Sequence, residues 1–323
     1  MGYVGKLHLG AVNLDPGEPG RFGFDDYWRC GLFPSHDYYD YTYCSSKEGR
    51  VEGEGKFRPA AEVDMVFDFL DGAEDDDRPW FCLLSWGPPH DPFEPPPRYR
   101  HYDDVPLPPN VPTGSKADPI VRRDLPLYYG LIEALDDQFG RLLSGLARRG
   151  MAEDTIVVYT SDHGNMMGSF NYLGKEMPYH ESTGIPFLAR WPGKLDGGRT
   201  VGVPLGSPDV FPTLVGLSGL EAPAGLDGRD LSGRLLGAAD APGQEAAYLA
   251  AWDTPVTPWP GWRGVRTERH LYARRKDRPW MLFDLQEDPW QQRDLRKEDI
   301  PLRRELDGLT LELMEQLGDS WEG

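Results

Sequence analysis

Apolar residues recur along this chain at two periods, and the alternation between them predicts an architecture. From Arg122 to Arg149, Leu125, Tyr128, Leu131, Ile132, Leu135, Phe139, Leu142, Leu143 and Leu146 fall three or four apart, and Gly150 ends the run. That spacing predicts a long amphipathic helix. Residues 59–71 (PAAEVDMVFDFLD) begin with proline and show the same period, as do 208–219 and about 301–317, predicting three further helices. Between them, TIVVYT and IPFLARWP have the length and β-branched or aromatic content of strands. PWFCLLSW is apolar without alternation, which predicts a strand buried on both faces. Strands alternating with helices predict an α/β fold, a mixed sheet flanked by helices. Residues 11–58 and 88–119 lack periodicity and read as long loops. After a Gly-, Ala- and Pro-rich linker at 221–244, the runs AAYLAAW, GWRGVRT, HLYARR and WMLFDL predict short strands before the last helix. The expected division is a catalytic-type α/β domain over 1–240 and a small α+β domain over 241–323.

Composition narrows the class. Of 323 residues 39% are hydrophobic and 27% charged, which is globular, and no apolar run reaches membrane-spanning length. A net charge of −19 repels nucleic-acid phosphates and anionic lipid, so neither is an expected partner. The same field opposes an anionic small substrate only at long range, since salt screens it within about 10 Å. Three cysteines show no zinc spacing: Cys82 reads as a buried thiol, and one disulfide between Cys30 and Cys44 is open. Oligomeric state and compartment are unread.

Ligands of open α/β sheets bind beyond the carboxyl ends of the strands, so the residues after each apolar run matter most. After TIVVYT comes SDHGNMMG, with Asp162 and His163 as adjacent oxygen and nitrogen donors and Gly164 free to take unusual backbone angles. After PWFCLLSW comes GPPHDP, which places His90 among prolines. The opening GYVGKLHLG delivers Lys6 and His8, one residue apart, and Lys175 sits in the loop GKEMP. Each alone reads as a turn, a loop histidine or a surface lysine. Their joint position at strand ends points to a metal-assisted anion site. Trp252, Trp259 and Trp262 read as packing between domains, with sugar stacking as the alternative.

These motifs resemble the sulfatase family. GYVGKLHLG is similar to its second signature, and the likeness continues in family order through GFDDYW, SHDYYDY, PWFCLLSWGPPHDPFEPP, YTSDHGNMMGSFNYLGKEMPYHESTGIPFLARWPG, SPDVFPTLVGLSGL, LDGRDL and LFDLQEDPWQQRDL. The resemblance implies an alkaline-phosphatase-like fold and hydrolysis of a small sulfated substrate. It implies a divalent cation, commonly calcium with manganese or magnesium as alternatives, and a formylglycine made in a Cys/Ser-x-Pro-x-Arg motif. By the same resemblance Asp162 and His163 are metal ligands, Lys6 and Lys175 hold sulfate oxygens, His8 lies beside the formylglycine, and His90 faces the leaving-group oxygen. Asn165 stands where the family often has an acid, and Gly184 where it often has arginine.

No Cys/Ser-x-Pro-x-Arg occurs in the 323 residues; after Cys30, Pro34 is four positions on and His36 stands where arginine is wanted. The family keeps that motif and its first metal-binding Asp pair upstream of GYVGKLHLG. The expectation is therefore a sulfatase-family chain that starts inside the family pattern, weak in metal binding and catalysis alone. The alternatives are a phosphodiesterase or phosphonate monoester hydrolase of the same superfamily, or a non-catalytic anion-binding fragment.

Overall fold

In the computed structural model, which describes residues 1–8, 20–31, 36–53, 55–73, 78–253 and 260–321, the chain divides into two compact units. The first comprises Met1–Pro106 and Arg122–Ala152, the second Leu107–Val121 and Glu153–Gly323. Leu9, Gly10, Pro34 and Trp259 lie outside the described residues.

The first unit is organised around β1 (Gly2–Lys6), which pairs in parallel with β2 (Tyr27–Gly31) on one side and β5 (Cys82–Ser85) on the other. β3 (Thr42–Ser45) and β4 (Gly49–Glu52) extend the sheet antiparallel, giving the order β4-β3-β2-β1-β5. Gly5 has φ of 109°, and a Cβ there would lie 2.0 Å from the Ser85 carbonyl oxygen, so only glycine lets β1 and β5 pair at this point. α1 (Arg58–Ala73) lies against β1. Its first turn holds a buried ion pair, in which Arg58 Nε donates to Glu62 Oε1 at 2.9 Å and the Tyr43 hydroxyl donates to the same oxygen at 2.9 Å. α2 (Asp118–Arg148) supplies Leu131 and Ala134 to a core with Tyr38, Phe57 and Tyr99.

Three expectations are corrected here. Residues 11–58 contain β2, β3 and β4, strands of four or five residues that are too short and too rich in polar positions to show as apolar runs. Among the described residues β5 is an edge strand, with Leu83 37% exposed, so its continuous apolar sequence does not mark burial on both faces. Cys82 on it is half-buried, while Cys30 and Cys44, opposite one another across β2 and β3, are buried free thiols.

In the second unit β6 (Val157–Thr160) pairs antiparallel with β7 (Phe187–Arg190), and the short α3 (His180–Thr183) lies between them in sequence. α4 (Ser207–Leu217) is followed by α5 (Ser232–Leu235). The stretch read as a linker is tied to α4, with Arg229 N donating to Asp209 Oδ1 at 2.8 Å and Leu231 N to Thr213 Oγ1 at 3.0 Å. β8 (Ala246–Ala251), β9 (Trp262–Thr267), β10 (His270–Arg274) and β11 (Pro279–Asp284) form an antiparallel sheet in the order β11-β10-β9-β8. Strand alternation splits its side chains between two cores. Val265, Tyr272 and Leu282 pack on Leu306 of α6 (Ile300–Gln316), whereas Trp262, Leu271, Ala273, Met281 and Phe283 pack on Met166, Met177 and Tyr179. The second core holds Met166 and Met177, the two ends of the loop that carries Lys175.

Candidate active site

The predicted residues fall three to each unit. In the first, the parallel register sets Gly5 opposite Ser85, so β1 and β5 release their carboxyl ends at one edge of the sheet. Lys6 closes β1, half-buried, and His8 follows as an exposed residue. His90 lies five residues beyond β5, between cis peptide bonds at Pro88-Pro89 and Asp91-Pro92. Its amide donates to Gly87 O at 3.2 Å, and its carbonyl accepts from the buried Tyr38 hydroxyl. The Nδ1 atom lies 2.8 Å from the Asp91 carbonyl oxygen, which can only accept, so Nδ1 carries the hydrogen. Nε2 is left as the nitrogen for chemistry.

A seventh residue joins this half. The His36 ring lies flat on that of His90, centroids 4.1 Å apart and planes 6° apart. Burial, then the neighbouring His90, Lys6 and Arg58, push its pKa down to about 4, with Asp91 opposing. Lys6 and His90 thus act electrostatically on one side chain. In the sequence His36 stands out only as a mismatch to an arginine, and no local signal ties it to a residue 54 positions away.

In the second unit β6 runs into Ser161, Asp162 and His163. The Asp162 side chain is 70% exposed, and its Oδ1 accepts from the His163 amide at 3.0 Å. His163 Nδ1 lies 2.8 Å from the Gly164 carbonyl oxygen and so donates to it, which leaves Nε2 with a lone pair. Lys175 Nζ donates to that lone pair at 2.8 Å, and Asp162 Oδ2 lies 3.4 Å from the same nitrogen. Asp162, His163 and Lys175 are therefore brought together.

The local backbone explains why they meet. Gly164 N donates to Ser182 O at 2.9 Å, and a Cβ on Gly164 would lie 2.0 Å from the Glu181 carbonyl oxygen. Close approach, rather than a positive φ, is what demands glycine there. The Lys175 loop is fastened on both sides: Met166 N donates to Gly174 O at 2.7 Å, Glu176 N to Ser182 Oγ at 2.9 Å, and the buried Trp262 Nε1 to Glu176 O at 2.8 Å. Trp262 is thus a core anchor of this loop, while Trp252 is 56% exposed beside Arg263. Gly184 abuts the His180 ring, where any Cβ would lie 2.3 Å from Cε1, so an arginine has no room at that backbone position. Asn165 Oδ1 caps the Met167 amide at 3.0 Å.

Among the described residues no group of three or more His, Cys, Asp and Glu side chains gathers in a metal-binding arrangement, and no helix is long and apolar enough to cross a membrane. Asp162 and His163 are the donor types that hold a divalent cation, and His163 Nε2 would exchange its hydrogen bond from Lys175 for the ion. One carboxylate and one imidazole sit side by side, and the Nδ1 hydrogen bond fixes the tautomer that presents Nε2.

A mixed sheet with helices, followed by an antiparallel sheet and a helix, is an α/β fold, and comparison with known proteins gives its class. A sulfatase of the YidJ type from Bacteroides fragilis superposes with a TM-score of 0.86 at 25% identity, covering 99% of this chain and 75% of that one. The phosphonate monoester hydrolase of Agrobacterium radiobacter superposes with a TM-score of 0.69 at 25% identity, covering 80% and 61%. The profile of the sulfatase family matches residues 1–220, and that of the C-terminal region of N-sulphoglucosamine sulphohydrolase matches 168–318. The chain belongs to the sulfatase family. An ulvan-active sulfatase from Formosa agariphila is 34% identical over 99% of the chain, which spans 64% of that relative's length.

Proposed function

We propose that this polypeptide is part of a sulfatase that hydrolyses sulfate esters, its nucleophile a formylglycine from a Cys/Ser-x-Pro-x-Arg segment not contained in these 323 residues. The observation that carries the reading is the Lys175 ammonium held 2.8 Å from His163 Nε2, next to the Asp162 carboxylate, at the end of a strand. Asp162 and His163 would hold the cation, calcium first, with manganese or magnesium as alternatives. When bound, the cation would polarise the sulfate group and offset its charge.

The remaining steps belong to this chain's own residues. Lys175 would place its ammonium group on the non-bridging oxygens, where charge accumulates as the ester bond breaks, and the sulfatase resemblance gives Lys6 the same role. His90 has Nδ1 committed to a backbone carbonyl, so a proton on Nε2 can pass to the departing alcohol oxygen. His8, two residues beyond Lys6, would orient the nucleophile. The ulvan-active relative favours a sulfated saccharide as substrate.

The likeness to a phosphonate monoester hydrolase supports a second reading, since sulfate monoesters and phosphate diesters carry the same single negative charge. The test compares an aryl sulfate with an aryl phosphodiester, using the full-length protein supplied with calcium or manganese. Faster turnover of the sulfate is expected; faster turnover of the phosphodiester would reassign the activity.

A further inference from the structure

We propose that the segment His36–Tyr38 is a positioning device for His90, with His36 as a second histidine of the site that fixes the plane of the catalytic imidazole. This inference rests on His90 as the leaving-group acid. Its basis is a pair of contacts, from residues two apart, on two different parts of one histidine. The His36 ring covers the face of the His90 ring at 4.1 Å and 6°. The Tyr38 hydroxyl, fully buried, donates to the His90 carbonyl and fixes the backbone.

The segment is itself held rigidly. Asp37 Oδ1 accepts from the amides of Tyr39 at 2.8 Å and Asp40 at 2.7 Å, closing a turn, and Arg58 N donates to Tyr38 O at 2.8 Å, tying the turn to the first residue of α1. The ring of Tyr38 is packed edge-on against Phe57 at 6.4 Å. His90 contributes the third constraint through Nδ1 and the Asp91 carbonyl. Ring face, ring nitrogen and backbone are then all specified, and the direction of Nε2 with them.

The stack also divides labour between the two imidazoles. Two rings this close repel one another if both hold a proton. His90, Lys6 and Arg58 disfavour protonation of His36, and Asp91 favours it. With its pKa lowered, His36 stays neutral, and its π-face lies against the His90 ring.

The stack can be read by NMR without turnover. In the protein as it exists, the His36 imidazole signal is expected to stay neutral until the pH approaches about 4. The His90 ring protons are expected to carry an upfield ring-current shift that His36→Ala removes and His36→Phe keeps. With turnover in the full-length protein, His36→Ala should lower kcat roughly ten- to a hundredfold with little change in KM, and His36→Phe should restore most of it. His36→Phe also covers the case in which the alanine variant folds poorly. The proposal is overturned if His90 proton shifts are the same in the parent and in His36→Ala, or if kcat survives loss of the shift. No hydrolysis by any variant, with the ring shift intact, would instead overturn His90 as the acid and leave the stack standing.

Discussion

At the scale of single residues, Lys175 makes the most direct test of the site. Its ammonium has a defined partner in His163 Nε2 and a loop pinned by Trp262, so Lys175→Ala removes charge with little change of frame. In the full-length enzyme it should lower kcat at least about a hundredfold, the cost of losing one group that stabilises transition-state oxygens. A fall under about threefold would remove Lys175 from the machinery. Histidines set a second expectation. Burial, as the largest cause, lowers the pKa of His36 to about 4 and also lowers those of His180 and His270. Each takes up its proton less readily when folded than when unfolded, so the unfolded state binds more protons below about 6.5. Stability should therefore fall as pH drops from about 6.5 toward 4. Asp284, held near 2 by Arg269, gives way only below that window. Urea midpoints at about pH 7.5 and 5 check the sign, and His36→Phe should shrink the difference.

At the scale of elements, two substitutions probe how each unit positions its own predicted residues. Gly5→Ala puts a methyl 2.0 Å from the Ser85 carbonyl oxygen at a φ of 109°, so β1 and β5 must part. A loss of roughly 3 kcal/mol or more is expected in chemical denaturation, with Lys6 and the His90 loop released together. Trp262→Phe is milder: it keeps a ring in the core but deletes the hydrogen bond to Glu176 O. About 1 kcal/mol should be lost, and amide exchange should quicken at residues 174–177 before the rest of the unit. Elements are also where sequence and structure part company. The long helix was legible because nine apolar positions keep one period over 28 residues, and β6 because Val157 and Val158 are β-branched and bounded by polar loops. β2, with Arg29 between Trp28 and Cys30, shows neither signal, since its stability comes from pairing with β1. Asp162, His163 and Lys175 could be singled out because each follows an apolar run or a glycine turn. His36 could not, because stacking on His90 is created by the turn at Asp37 and the docking of α1, which are tertiary facts.

At the scale of the whole molecule, the net charge of −19 sets how an anionic substrate arrives. Two fields compete: the summed negative surface acts at long range, while Lys6 and Lys175 act over a few ångströms. Salt separates them, since the Debye length shrinks from about 30 Å at 0.01 M to about 10 Å at 0.1 M. Over that range the distant acidic groups are screened, whereas contacts at hydrogen-bond distance are nearly untouched. Association of a sulfated substrate should therefore become faster with added salt, and kcat/KM should rise while kcat holds. A neutral competitive inhibitor should show no such trend, which separates substrate approach from a change in the protein. A kcat/KM that falls with salt would mean that cationic groups near the entrance outweigh the acidic surface. A neutralising Lys6→Gln change should then weaken that fall, because the steering field would have lost one of its sources.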